Sequence, residues 1–295
     1  ADSRDVRAKE AWVKALKDFQ ANVSEDEAKN AARAIAKTGV RDADALDAIV
    51  QVFIKLQAGS EKGSVVWKDY MESMQEISSP TWEPQLLERL NRPMEIPDKD
   101  KDKDNKDKIT SYRNEQFWQV TSSEILGTIK SAKAVKPLFK CIVNPSKADV
   151  AASSVMALVK IGQPAMPMLS DALLGKDTEI NEWAKGAVKT NPEAAVIRSA
   201  ALVIGTVGRA DGAKPLIDAL AAAKDDPTRA IIARELSKVP TSPESLKAYM
   251  DVLMKMPVSV DLPTGEVAAA MLTETVDAFY DASVVDQLIK RGKDA

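Results

Sequence analysis

The sequence predicts an all-α protein, a right-handed α-solenoid of about six antiparallel helix pairs behind one leading helix. Three observations predict it. The first is composition: only 12 of 295 residues are Gly, 43 are Ala, and 29% are charged, which favours helix. The second is internal repetition. Residues 127–139 and 205–217 agree at six of thirteen positions: Gly, Thr, Ala, Lys, Pro and Leu. The third is the lack of sustained period-two alternation. Val258 to Leu262 alternates briefly, but Pro257 and Pro263 bracket it, so it reads as a linker.

The elements follow in order. Helix 4–20 presents Val6, Trp12, Val13, Leu16 and Phe19 on one face. Ser24 and Glu27 form a capping box that starts helix 25–37. Helix 43–57 follows, and 65–77 with 83–91 makes a degenerate pair. A third repeat copy, Leu158 to Leu169, lies between the other two and has a shorter turn. In each copy a first helix ends near a Gly, Lys or Ser. A short turn follows, and a second helix carries Pro137, Pro167 or Pro215 in its first turn, where a missing N–H costs nothing. An insertion, 176–192, has room for a short helix around Ile180, Trp183, Ala184 and Val188. Residues 229–236 with 243–254, and 267–279 with 283–289, give two further pairs.

This signature, Gly-x-[Ile/Val] with Lys-Pro-Leu at 136–138 and 214–216, resembles the HEAT and HEAT-like (PBS-lyase-type) repeat family, most clearly over residues 110–224. The resemblance implies stacked helix pairs whose second helices line a concave face. That face would present Lys136, Met166 and Lys214 just before the prolines, with Lys247 from the following pair. One turn later come Lys140, Ser170, Asp218 and Asp251, and the N-terminal pair offers Asp47 and Gln51. Leu138, Phe139, Leu216, Ile217, Tyr249 and Met250 would point into the stack.

The charge pattern divides the chain. Residues 98–108 alternate five acids with five bases around Asn105 and hold nothing apolar. They read as a solvated, mobile linker between N-terminal repeats, 1–97, and C-terminal repeats, 109–295. Asp98, Asp100 and Asp102 are spaced like a calcium loop. However, Lys103 stands where Gly is needed and Ile109 where Glu is needed.

Several function classes are excluded by what the chain lacks. With no His there is no Ser-His-Asp triad, Cys-His pair or His zinc site. Cys141 has no second Cys for a disulfide, and its setting on a second helix reads as a buried structural thiol. Gly205 to Lys214 misses the phosphate-loop spacing, since Ala213 separates Gly212 from Lys214. No catalytic, cofactor or metal-ligating residue is therefore assigned. A net charge of −3 disfavours nucleic acid, and no apolar run is long enough to span a membrane. Asn22-Val23-Ser24 is a glycosylation triplet, although Ser24 already has a capping role. The start Ala1-Asp2-Ser3-Arg4 suits a mature exported protein or a lipoprotein body cut from an N-terminal anchor, which tips the expected location toward the periplasm or cell envelope.

The expected function is a non-enzymatic scaffold that binds a protein or peptide segment. Lys136, Lys140, Lys214, Lys247 and Trp82 are the candidate contacts, Trp82 because it falls at a proline-flanked turn. The alternatives are a structural lipoprotein-type envelope protein and an enzyme subunit of the HEAT-like lyase class. The second lacks a catalytic motif here.

Overall fold

The computed structural model describes residues 6–294 apart from 20, 22, 58–60, 99, 103 and 280. The first four residues and Asn22 of the glycosylation triplet thus lie outside the described residues. Among those described, the protein is 76% helix, with 16 α-helices and no strand. Asp261 and Val267 form only an isolated bridge, as the two flanking prolines lead one to expect.

The chain forms two compact units, which meet in sequence at Ile161 and Gly162. The first unit holds α1 (Lys9–Lys17), α2 (Glu25–Thr38), α3 (Ala43–Phe53), α4 (Glu61–Ile77), α5 (Glu83–Asn91), α6 (Lys106–Thr128), α7 (Val135–Val143) and α8 (Ala148–Ile161). The second holds α9 (Met166–Leu173), α10 (Thr178–Ala187), α11 (Pro192–Val207), α12 (Ala213–Ala222), α13 (Asp226–Leu236), α14 (Pro243–Lys255), α15 (Ala268–Thr275) and α16 (Ser283–Asp294).

The expected division at 98–108 does not coincide with this boundary. Helices α5 and α6, on either side of the charged run, pack directly on each other inside the first unit. The run is a connection between neighbours, and its last three residues already belong to α6. Asp98 organises the near side by accepting from the amides of Asp100 and Lys101 at 3.0 and 3.1 Å. Asn105 caps α6 by accepting from Lys108 N at 3.1 Å.

The local signals act as the chemistry requires. Ser24 accepts from Glu27 N at 3.3 Å while Glu27 Oε2 accepts from Ser24 N at 2.9 Å, the full capping box of α2. Gly39, at φ 74°, closes that helix in the left-handed conformation that glycine adopts without strain. Asp42, Asp177 and Asp225 cap α3, α10 and α13 through their side chains.

All three repeat copies place a 3-10 turn before the second helix, at 132–134, 163–165 and 210–212, and Pro137, Pro167 and Pro215 fall in the first turns of α7, α9 and α12. The signature glycine has a different role from the one its position suggests. Gly127 and Gly205 sit inside the last turns of α6 and α11 rather than stopping them. A Cβ on Gly127 would stand 2.6 Å from Ala157 Cα of α8, so α6 and α8 approach through this residue. Aligned on the prolines, Ala157 is the same repeat position in the middle copy, so one small residue packs on its own counterpart.

Packing within each unit runs in rows. In the first unit α2 contacts α4, α4 contacts α6, α6 contacts α8, and α5 contacts α7. In the second, α11 contacts α13 and α13 contacts α15, while α9, α12 and α14 form a parallel succession of neighbours. The core is aliphatic with a few rings. Ile35, Phe53, Trp67, Leu86 and Phe139 are fully buried in the first unit, and Leu169, Ile204, Leu216, Tyr249 and Leu272 in the second. Burying each such side chain contributes about 1.5–3 kcal/mol.

Helix α6 departs from this chemistry. It touches α4, α5 and α8, and from Asn114 to Gly127 no residue is exposed, so that stretch has no solvated face to sort its residues by polarity. Asn114, Gln119, Thr121, Ser122 and Ser123 are all buried there. Gln119 donates to Arg92 O at 3.0 Å, Trp118 Nε1 to Phe53 O at 2.9 Å, and Asn114 Nδ2 to Gln57 Oε1 at 2.5 Å.

Candidate functional site

The sequence-predicted second helices are α7 in the first unit and, separately, α9, α12 and α14 in the second. Helices α9, α12 and α14 each bury one stripe and expose residues opposite it, whereas every residue of α7 is buried or half-buried. Leu138 and Phe139 on α7, Leu216 on α12, and Tyr249 and Met250 on α14 are buried, while Ile217 is half-buried. The exposed stripes carry the charges. Lys214 and Asp218, one turn apart on α12, are paired at 2.6 Å, and Lys247 and Asp251 on α14 repeat that pair at 2.8 Å. These lysines occupy matching places on neighbouring helices. The bond from Lys247 holds the Asp251 carboxyl below the usual carboxylate range.

On α7 the equivalent pair of places holds Lys136 and Lys140, and that helix contains no acid. Both lysines are half-buried. On α9 the places hold Met166 and Ser170. Met166 is core, not surface, because it packs toward Gly212 under the next second helix. Asp47 and Gln51 line a small cavity of about 180 Å³ with Leu16 and Phe19.

Trp82 is not exposed, contrary to the sequence expectation. It is 1% accessible, and its indole Nε1 donates to Leu46 O of α3 at 2.8 Å. The 3-10 turn at 80–82, started by Ser79, rolls the ring inward onto α3. Proline-flanked turns often face solvent, but an indole with a buried carbonyl within reach has both its ring and its N–H satisfied inside. Trp82 is therefore a packing residue and drops out of the contact set.

A cavity of about 390 Å³ opens beside Lys247, between the start of α14 and the segment leading to α16. Leu246, Met250 and Phe279 supply apolar wall, and Lys247, Asp251 and Asp281 supply charge. Asp281 accepts from Ser283 N at 2.8 Å and Ser283 Oγ at 2.7 Å, which lowers its pKa. The cavity thus holds one ammonium against two carboxylates. A side chain with an apolar stem and a cationic tip matches it. Nothing in the local spacing pointed to this concavity, because Phe279 and Asp281 come from beyond a long connection.

The buried cations Arg89 and Lys147 also escape sequence reasoning. Arg89 donates to Ile54 O, at the end of α3, and Lys147 Nζ donates to Leu90 O, in the last turn of α5, at 2.6 Å. Each sits at the negative end of a helix, where carbonyls lack intrahelical donors. Cys141 shares the Leu90 carbonyl at 3.9 Å and is buried, and burial pushes its thiol pKa up. This is the inert setting its sequence context suggested.

Among the described residues no group of three or more His, Cys, Asp and Glu side chains is placed to hold a metal ion, and no helix is long and apolar enough to cross a membrane. No protein-family model matches the chain, and none of the curated proteins matches it.

Proposed function

We propose that the protein is a non-enzymatic scaffold of HEAT-like repeats that binds a protein or peptide segment on its second-helix face. Three features support the solenoid arrangement on which this rests: the repeated 3-10 turn and proline, the small residue at 127, 157 and 205, and the row-wise contacts within each unit. The observation that carries the binding reading is the in-register charge on adjacent helices. Lys214–Asp218 and Lys247–Asp251 repeat one pattern on the exposed stripes of α12 and α14, beside a cavity with an apolar floor. Such a surface can hold an extended segment of mixed charge by exchanging its own ion pairs for intermolecular ones. Absence of His and burial of the one Cys are in keeping with binding without turnover.

The test is affinity capture by the intact chain, repeated with Lys214→Glu/Lys247→Glu and with Lys136→Glu/Lys140→Glu. A partner retained by the parent and lost from either variant, with the loss shrinking in salt, supports the assignment. Unchanged capture by both variants overturns the surface. A measured turnover for any substrate overturns the non-enzymatic role.

A further inference from the structure

The cavity beside Lys247 lies wholly within the second unit, and the Lys247–Asp251 pair of the proposed partner face forms part of its wall. Its volume of about 390 Å³ is in the lower part of the range that encloses small ligands, about 300–1,000 Å³.

The charged and helix-end donors of this wall are occupied, while some of its acceptors are not. At the start of α14 a reciprocal box closes the helix end. Ser245 N donates to Ser242 Oγ at 3.1 Å, and Ser242 N donates to Ser245 Oγ at 2.7 Å. At the start of α16 Asp281 Oδ1 accepts from Ser283 N at 2.8 Å and from Ser283 Oγ at 2.7 Å. Lys247 Nζ is held by Asp251 at 2.8 Å. Helix starts ordinarily attract anions, but side chains already answer both of these. Asp281 Oδ2 and the Gln287 amide, in contrast, have no partner among the described residues. Asp281 is exposed and Gln287 half-buried, so both open onto the cavity they line.

Charge and shape then select the occupant. The lining carries two carboxylates, Asp251 and Asp281, against one ammonium, so an anion would meet like charge. Pro243 and Leu246 add apolar wall. A guanidinium is planar, weakly hydrated and has five donors, so it can address a carboxylate and an amide oxygen together while its stem lies on apolar surface. An ammonium is a compact, strongly hydrated point charge and fits such a wall less well.

We propose, on the reading that a peptide segment binds the second-helix face, that this cavity receives an arginine side chain of that segment, with the guanidinium on Asp281 and Gln287 and the stem along Pro243 and Leu246. The experiment titrates the intact protein with the capped pentapeptide Ala-Ala-Arg-Ala-Ala and with its citrulline and glutamate counterparts, read by amide chemical-shift changes. Citrulline keeps the shape and removes the charge. The arginine peptide should bind saturably with shifts centred on residues 241–251 and 279–287, and each of the others about tenfold or more weakly. Asp281→Asn keeps an oxygen to cap α16 and removes the charge, so it should weaken the arginine peptide about tenfold with Tm nearly unchanged. Gln287→Glu adds a carboxylate and should tighten binding about threefold or more, a gain that unfolding cannot mimic. No saturable shift with the arginine peptide, equal binding of the citrulline peptide, or unaltered affinity in both variants would each overturn the proposal. A partner that is lost from Lys214→Glu/Lys247→Glu but fully captured by Asp281→Asn would remove the arginine and leave the face standing. Capture unchanged in both lysine double variants would overturn the face itself.

Discussion

Gly205 of α11 lies so close to Glu235 of α13 that a Cβ on the glycine would stand 2.8 Å from Glu235 Cβ and 3.0 Å from its carbonyl oxygen. Glu235 is fully buried and is held by Arg234 Nε at 2.9 Å and Lys238 Nζ at 2.6 Å, so it has little room to yield. Gly205→Ala should therefore destabilise the protein by about 1–3 kcal/mol, although alanine favours helix by ~1 kcal/mol. Gly186 on α10 is the control: a Cβ there meets nothing within 4 Å, and Gly186→Ala should gain up to about 1 kcal/mol. Urea unfolding of both variants decides the matter. A Gly205→Ala protein as stable as the parent would mean that α11 and α13 are not pressed together here.

A second prediction concerns Arg89. Its guanidinium carbon lies 4.0 Å from the centre of the Trp118 ring, and Nη2 donates to Ile54 O. Desolvation lowers its pKa, yet a guanidinium stays charged at neutral pH. Removing the side chain takes away a stacked plane as well as a charge. Arg89→Ala should cost about 2–4 kcal/mol, and Arg89→Lys about 1–2 kcal/mol, because an ammonium cannot stack flat on the indole while reaching the same carbonyl. Equal stability of the Lys variant and the parent would show that the charge, and not the plane, matters.

Alkaline pH should weaken the second unit through Tyr249. Its hydroxyl donates to Leu272 O at 2.6 Å, and burial raises its pKa to about 12. The unfolded chain ionises this phenol near 10, so from there to about 12 the folded state holds a proton that the unfolded state has lost. Stability must then fall as pH rises through that window. Tyr249→Phe should lose about 1 kcal/mol at pH 7 but show a shallower decline above pH 10. Parallel stability curves for variant and parent between pH 9 and pH 12 would contradict this linkage.

Much of the fold was legible because local chemistry and tertiary packing agree. The Ser24–Glu27 box, the repeat prolines and the insertion helix around Ile180 all lie where their sequence places them. Helix α6 was harder to read. Buried on three sides, it carries Asn114, Gln119 and Ser123 where a one-sided helix would have leucines, so periodicity says little about its faces. Trp82 was misjudged because its partner, Leu46 O, is 36 residues away and no turn signal encodes it. The candidate sites show the same contrast. The lysines of α12 and α14 follow from the repeat register. The cavity beside Lys247 depends on Phe279 and Asp281, which only the fold brings to α14.

Cys141 offers a last test that ties these energetics together. Its thiol is buried and its pKa is pushed up by that burial, even with Lys147 nearby drawing it down. A reagent such as iodoacetamide should therefore modify the native protein only through opening of the first unit, at a rate set by the open fraction. Arg89→Ala, in that same unit, should then accelerate modification in proportion to its loss of stability, about tenfold for each 1.4 kcal/mol. The measurement is the alkylation rate at pH 8, parent against variant, beside their urea midpoints. A parent thiol that reacts as fast as a small free thiol would place Cys141 at the surface. A variant that loses stability without reacting faster would mean that the region around Leu90 and Cys141 opens independently of the Arg89–Trp118 contact.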